Sequence, residues 1–180
     1  MDKELWVCIS TEQPKNYEAF YRAGSVYGNC ESVTDGRFET EKERICLRFA
    51  LDGVYEYRSI FEDHTLYVEF VSSKEVYEKI IVIDPGYGGE EQGITADGVL
   101  SKNITLDIAK ALKAMFDESD IKVYYTRMDD SNPAAADRVE LAAATKADMM
   151  IRIEVNGDEN SKLYGTSAVY NSKFFIPGFG

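Results

Sequence analysis

The sequence predicts an α/β protein: a mostly parallel sheet flanked by helices and preceded by a small antiparallel β region. Three observations carry this expectation. The aliphatic run "KIIVID" at 79–84 ends in a Pro-Gly and Gly-Gly turn, which is how a buried parallel strand delivers side chains to a site at its C-terminal end. Downstream, strand-like and helix-like segments alternate with short links, the signature of helices covering a parallel sheet. Upstream, residues 44–71 alternate in period two, with Leu66, Val68 and Phe70 set against Tyr67 and Glu69, as half-buried antiparallel strands do.

Along the chain, residues 1–43 are rich in Tyr, Gly, Ser, Asn and acids without a sustained period, so strands and loops are expected there. Residues 44–71 form a meander, with turns at Asp52-Gly53 and at "FEDHT" (61–65). This β-rich region is taken as 1–72 and the α/β part as 73–180, linked by "VSSKEVYE" (71–78). Between 103 and 117 the apolar positions Ile104, Ile108, Ala111, Leu112, Met115 and Phe116 step by three and four, an amphipathic helix for which Ser101 or Asn103 could cap the start. "IKVYYTR" (121–127) is strand-like. Asn132 as cap and Pro133 as first residue begin a second helix running to Lys146. "ADMMIRIEVN" (147–156) and residues 165–170 complete the strands. Ligands of such sheets gather at strand C-termini, here Asp84–Gly89, Thr126–Asp130 and Glu154–Gly157.

With 180 residues and 44% hydrophobic composition the chain can fill one sizeable core, or a moderate core plus an appendage. A net charge of −12 and a pI near 4.6 repel phosphate backbones and anionic lipid, which argues against nucleic-acid and membrane-surface partners. No segment approaches the roughly 18–20 apolar residues of a membrane span. The "MDKELWVCIS" start has acids where a signal peptide would be basic, so the protein is either cytoplasmic or a sequence without its leader. Cys8, Cys30 and Cys46 match no metal knuckle. They are expected to be buried or inert thiols, the alternative being a Cys8–Cys30 disulfide in an exported protein. The single histidine, His64, reads as a solvated turn residue.

In order and spacing, "KIIVIDPGYGG", "SKNITLDIAKALK", "VYYTRMDD", "DRVELAAATKADMMIRIEVN" and "GTSAVYN" resemble the zinc-dependent N-acetylmuramoyl-L-alanine amidases, which cut glycan from stem peptide in peptidoglycan. The resemblance covers residues 79–171. It implies a zinc site with His, Glu and His ligands, at positions that here carry Tyr87, Ser101 and Glu154. A phenol with a reference pKa of about 10 stays protonated at neutral pH and a serine hydroxyl is a poorer donor still, which leaves Glu154 alone as a plausible ligand. Zinc is therefore not expected as a cofactor. The chain stops at "FFIPGFG", before the strand that in the family carries a catalytic glutamate, so a truncated sequence or a shortened core is expected.

Matching positions Arg127, Asp130, Arg138 and Asp148 are expected to pin loops and helix ends. Asp84, Glu90, Glu91, Arg152 and Asn156 are candidate cleft residues, with an Arg152–Glu154 ion pair as the plain reading of Glu154. The resemblance implies an extracytoplasmic, cell-wall-facing domain. It would bind or regulate peptidoglycan fragments or an envelope protein partner without zinc-dependent catalysis. One alternative is an active hydrolase using Mg²⁺ or Ca²⁺ on Asp84, Glu90, Glu91 and Glu154, or ligands from missing chain. Another is an assembly module whose tyrosine-rich N-terminal part, in a chain that is 12% aromatic, makes the interface.

Overall fold

A computed structural model describes residues 3–10, 30–41, 44–157 and 164–170. Its centre is a three-stranded parallel sheet in the order β10 (Met149–Ile153), β6 (Ile80–Pro85), β9 (Lys122–Tyr125). Ile80, Val82 and Ile83 of β6 are at most 1% exposed. Successive side chains of a strand point to opposite faces, so a strand buried at both parities is covered on both, which is why this segment reads as an unbroken aliphatic run. Helix α2 (Ser101–Phe116) and helix α3 (Ala135–Ala144) pack on β6. They bring Leu106, Ala109 and Leu141 into the core.

Upstream lie two separate antiparallel sheets. One has the order β1 (Glu4–Ser10), β3 (Arg44–Leu51), β2 (Val33–Glu41); the other is the hairpin of β4 (Tyr55–Glu62) and β5 (Thr65–Ser72). The expected meander is thus corrected: β3 takes β1 and β2 as partners, not β4. Period-two alternation identifies a strand but carries nothing about its neighbour. At Asp52-Gly53 the chain passes from one sheet to the other, and the Asp52 N–H donates to the Ser32 carbonyl at 3.0 Å. The second expected turn does form a two-residue hairpin loop, with Asp63 and His64 at φ of +47° and +61°.

Cys8 and Cys46 face each other in the β1–β3 register and are joined by a disulfide, while Cys30 is a free, exposed thiol. This corrects both cysteine expectations, since the pairing follows strand register rather than sequence proximity. The 71–78 link contains a short helix, α1 (Ser73–Val76). Through the Tyr124 hydroxyl, which donates to Glu56 and bonds Ser73 at 2.6 Å each, and the Lys122–Glu56 ion pair at 2.7 Å, the base of the hairpin is tied to β9. Lys3 of the chain entering β1 pairs with Glu140 of α3 at 2.6 Å.

Three helix and strand boundaries also differ from expectation. Helix α2 begins at Ser101 with no side-chain cap, and α3 begins at Ala135 rather than Pro133. Asn132 is not a cap because its amide is committed to tertiary contacts, accepting from Arg138 at 2.8 Å and donating to Glu91 at 3.3 Å. Residues 165–170 form no strand, and the expectations placed on 11–29 and 171–180 lie outside the described residues. A further two-residue pair, β7 (Thr95–Ala96) with β8 (Val99–Leu100), closes over Asp97-Gly98 just before α2.

Candidate functional site

The C-terminal ends of β6, β9 and β10 converge on Asp84, which is completely buried. Its carboxylate accepts from the Thr126 hydroxyl and from Arg138, and pairs with Arg152 at 2.8 Å. Burial alone would raise the Asp84 pKa, but the Thr126 hydroxyl and the two guanidinium groups outweigh it and hold the carboxyl below its ordinary range. Asp84 is therefore a buried structural anion at the end of β6, not the candidate cleft residue expected from sequence. That removes it from the oxygen-rich cation site considered above. Among the described residues no group of three His, Cys, Asp or Glu side chains could hold a metal ion.

Arg127 does what was expected of it. Buried, it donates to the carbonyls of Pro85 at 3.0 Å, Gly86 at 2.9 Å, Lys102 at 2.8 Å and Asp129 at 2.8 Å, and so stitches the end of β6 to the first turn of α2. Asp130 pairs with Lys102 at 2.7 Å and accepts from the Gly89 N–H at 3.1 Å. Asp148 pairs with Lys74 at 2.7 Å and accepts from the Ile80 N–H at 2.8 Å. Arg138 reaches from α3 to Asp84 and to the carbonyls of Pro85 at 3.1 Å and Tyr87 at 3.2 Å. These groups fix the turn after β6, in which Gly88 has a φ of +136° and room for no side chain, because a Cβ would lie 2.1 Å from the Ser131 carbonyl oxygen.

Tyr87, just before Gly88, is in the left-handed region at φ +65°, a conformation costly for an L-residue with a large side chain. Its ring lies against Gly93, on whose backbone a Cβ would fall 2.9 Å from the ring and 2.7 Å from the Ser101 Cβ. Ser101, 2% exposed, accepts from the Ile94 N–H at 3.1 Å and reaches the carbonyls of Ile94 at 3.1 Å and Val155 at 3.2 Å. Glu154 lies just past β10, with its Cγ 3.2 Å from where a Gly86 Cβ would stand and its carboxylate bonded by Arg152 at 2.6 Å. The ion pair expected for Glu154 is present. Tyr87 and Ser101 thus both lie against Gly93, and Glu154 lies against Gly86.

The remaining candidates are peripheral. Glu90 and Asn156 are exposed. Glu91 is held by Asn132 and by paired backbone bonds with Gly88 at 2.9 Å each. Sequence reasoning missed Gly93 and Ile94; the glycine following "EEQ" was the available signal, as a residue forced to approach two others closely. Ile94 packs across to Gly157, whose Cβ would fall 3.1 Å from its methyl.

The sequence profile of the N-acetylmuramoyl-L-alanine amidases matches residues 81–175. The chain is 30% identical over 99 residues to the N-acetylmuramoyl-L-alanine amidase LytC of Bacillus subtilis, a match covering 55% of this chain and 20% of that protein. With the N-acetylmuramoyl-L-alanine amidase AmiA of Escherichia coli it shares 34% over 91 residues, covering 50% and 32%. Among solved structures it is similar to the amidase AmiC2 of Nostoc punctiforme, at 31% identity and a TM-score of 0.44, over 46% of this chain and 47% of that one. The chain spans about a fifth to a third of these two curated relatives.

Proposed function

The chain belongs to the N-acetylmuramoyl-L-alanine amidase family, whose profile spans over half of it, and from that premise we propose that it is an amidase-like cell-wall domain that binds peptidoglycan fragments or an envelope protein partner without zinc-dependent hydrolysis. The observation that carries this reading is the state of the three positions that would hold zinc by resemblance. The Ser101 hydroxyl is spent on backbone groups of Ile94 and Val155, and the Glu154 carboxylate is bonded by Arg152. Tyr87 offers a phenol. A hydrolytic zinc site needs three good donors and an open fourth position for water, and this donor set does not fit. No hydrolytic step is assigned to these residues.

On this reading the strand ends, tied together through Asp84, Arg127 and Arg138, meet the ligand with the polar groups of Glu90, Glu91, Arg152, Glu154 and Asn156. The Cys8–Cys46 disulfide supports an oxidising, extracytoplasmic setting, since such bonds persist outside the reducing cytosol. The α/β part is proposed as the unit 73–180 and the β-rich part as 1–72. The test is incubation with soluble muropeptides and added zinc. Binding without release of free stem peptide is expected; release of stem peptide, absent in a zinc-free control, would defeat the reading.

A further inference from the structure

Residues 90–94 leave the β6 turn, pack against both Tyr87 and Ser101 at Gly93, and end with Ile94 packed on Gly157 beyond β10. They therefore run from the end of β6 to the end of β10. Helix α2 lacks a side-chain cap, and the first N–H groups of a helix need acceptors. This segment provides them, with the Ser101 N–H donating to the Ile94 carbonyl at 3.0 Å and the Lys102 N–H to the Gln92 carbonyl at 3.1 Å. The Ser101 hydroxyl closes the arrangement from the other side by accepting from the Ile94 N–H at 3.1 Å. At the base, Gly88 and Glu91 exchange two backbone bonds of 2.9 Å.

Gly93 makes the passage possible. It has a φ of +68°, and any Cβ there would sit 2.7 Å from Ser101 and 2.9 Å from the Tyr87 ring. We propose that residues 90–94 are a latched strap that regulates access to the strand ends: held down by Ser101, it covers Ser101 and packs on the Tyr87 ring, and a ligand reaching these two residues must first lift it. The ligand class, a muropeptide, rests on the function proposed above; the strap itself rests only on the geometry.

Amide hydrogen exchange and muropeptide titration on the full chain test the two separately. Two variants weaken the latch: Ser101→Ala removes the hydroxyl but keeps the backbone bonds, and Gly93→Ala forces the backbone off Tyr87 and Ser101. The Ile94 amide is expected to be protected in the parent chain. It should lose about tenfold or more in protection in Ser101→Ala, the worth of one hydrogen bond of ordinary strength, while the β6 and β9 amides keep theirs. If Gly93→Ala does not fold, Ser101→Ala alone decides the matter. Free exchange of Ile94 in the parent chain, or unchanged protection in Ser101→Ala, overturns the strap. Muropeptide should bind the weakened variants about tenfold more tightly, the amount by which one such bond had opposed opening. Equal binding by all three proteins overturns the closing role and leaves the binding function standing. Loss of Ile94 protection with no binding by any of them upholds the strap and defeats the muropeptide reading.

Discussion

Asp84 shows how far a side chain's role departs from its position in a motif. It sits where the strand ends and was expected to face a ligand, yet it is fully buried and meets Arg138, Arg152 and Thr126. Asp84→Asn leaves the Arg138 guanidinium buried opposite a neutral amide, and breaking one partner of a buried pair costs about 3–5 kcal/mol; urea unfolding should show that loss with the slope unchanged. Its pKa is lowered in the folded state, so the stability it contributes is complete above the ordinary carboxylate value of about 4. That stability is lost as pH falls through the lower, folded value. Acid titration of the unfolding midpoint should therefore be shallower in Asp84→Asn than in the parent chain. A parent curve flat between neutral pH and pH 3, with the variant equally flat, would contradict this linkage within its expected window. Which residues stand at the strand end was legible in the sequence. What they touch was not, because Arg138 lies 54 positions away and its reach depends on where α3 lands.

At the scale of elements, the hairpin and the two helices make the same point in opposite directions. The β4–β5 hairpin was legible because alternation and turn residues agree, and its loop falls where expected. That loop places His64 at φ +61°, where an L-residue pays roughly 1–2 kcal/mol that glycine avoids. His64→Gly should therefore raise the melting temperature by about 2–4 °C, the scale expected for about 1 kcal/mol in a protein of this size. A fall in melting temperature would show that the imidazole is held by something more than a turn. For α2 and α3 the periodicity marked the helices but misplaced their caps, since Ser101 and Asn132 each spend their side chains on distant backbone or side-chain partners. The strand expected at 165–170 fails for the related reason that β content alone does not supply a neighbour to pair with.

For the molecule as a whole, the central parallel sheet was legible from one aliphatic run and the alternation after it, whereas the partition of the N-terminal strands into two sheets was not. Strand partnership is decided by long-range register, and the Cys8–Cys46 bond records that register covalently, 38 positions apart. Closing a loop of that length stabilises by about 4 kcal/mol in the chain-entropy account, so unfolding with dithiothreitol should occur at clearly lower denaturant than without it, while Cys46→Ala should make reductant irrelevant. An identical midpoint in both conditions would mean that the bond adds nothing beyond the strand pairing. The same bond makes a covalent ring of everything between its two ends. A protease that cuts the polypeptide once anywhere from Ile9 to Ile45 would leave a single band of undiminished mass on a non-reducing gel, and two fragments as soon as thiol is added.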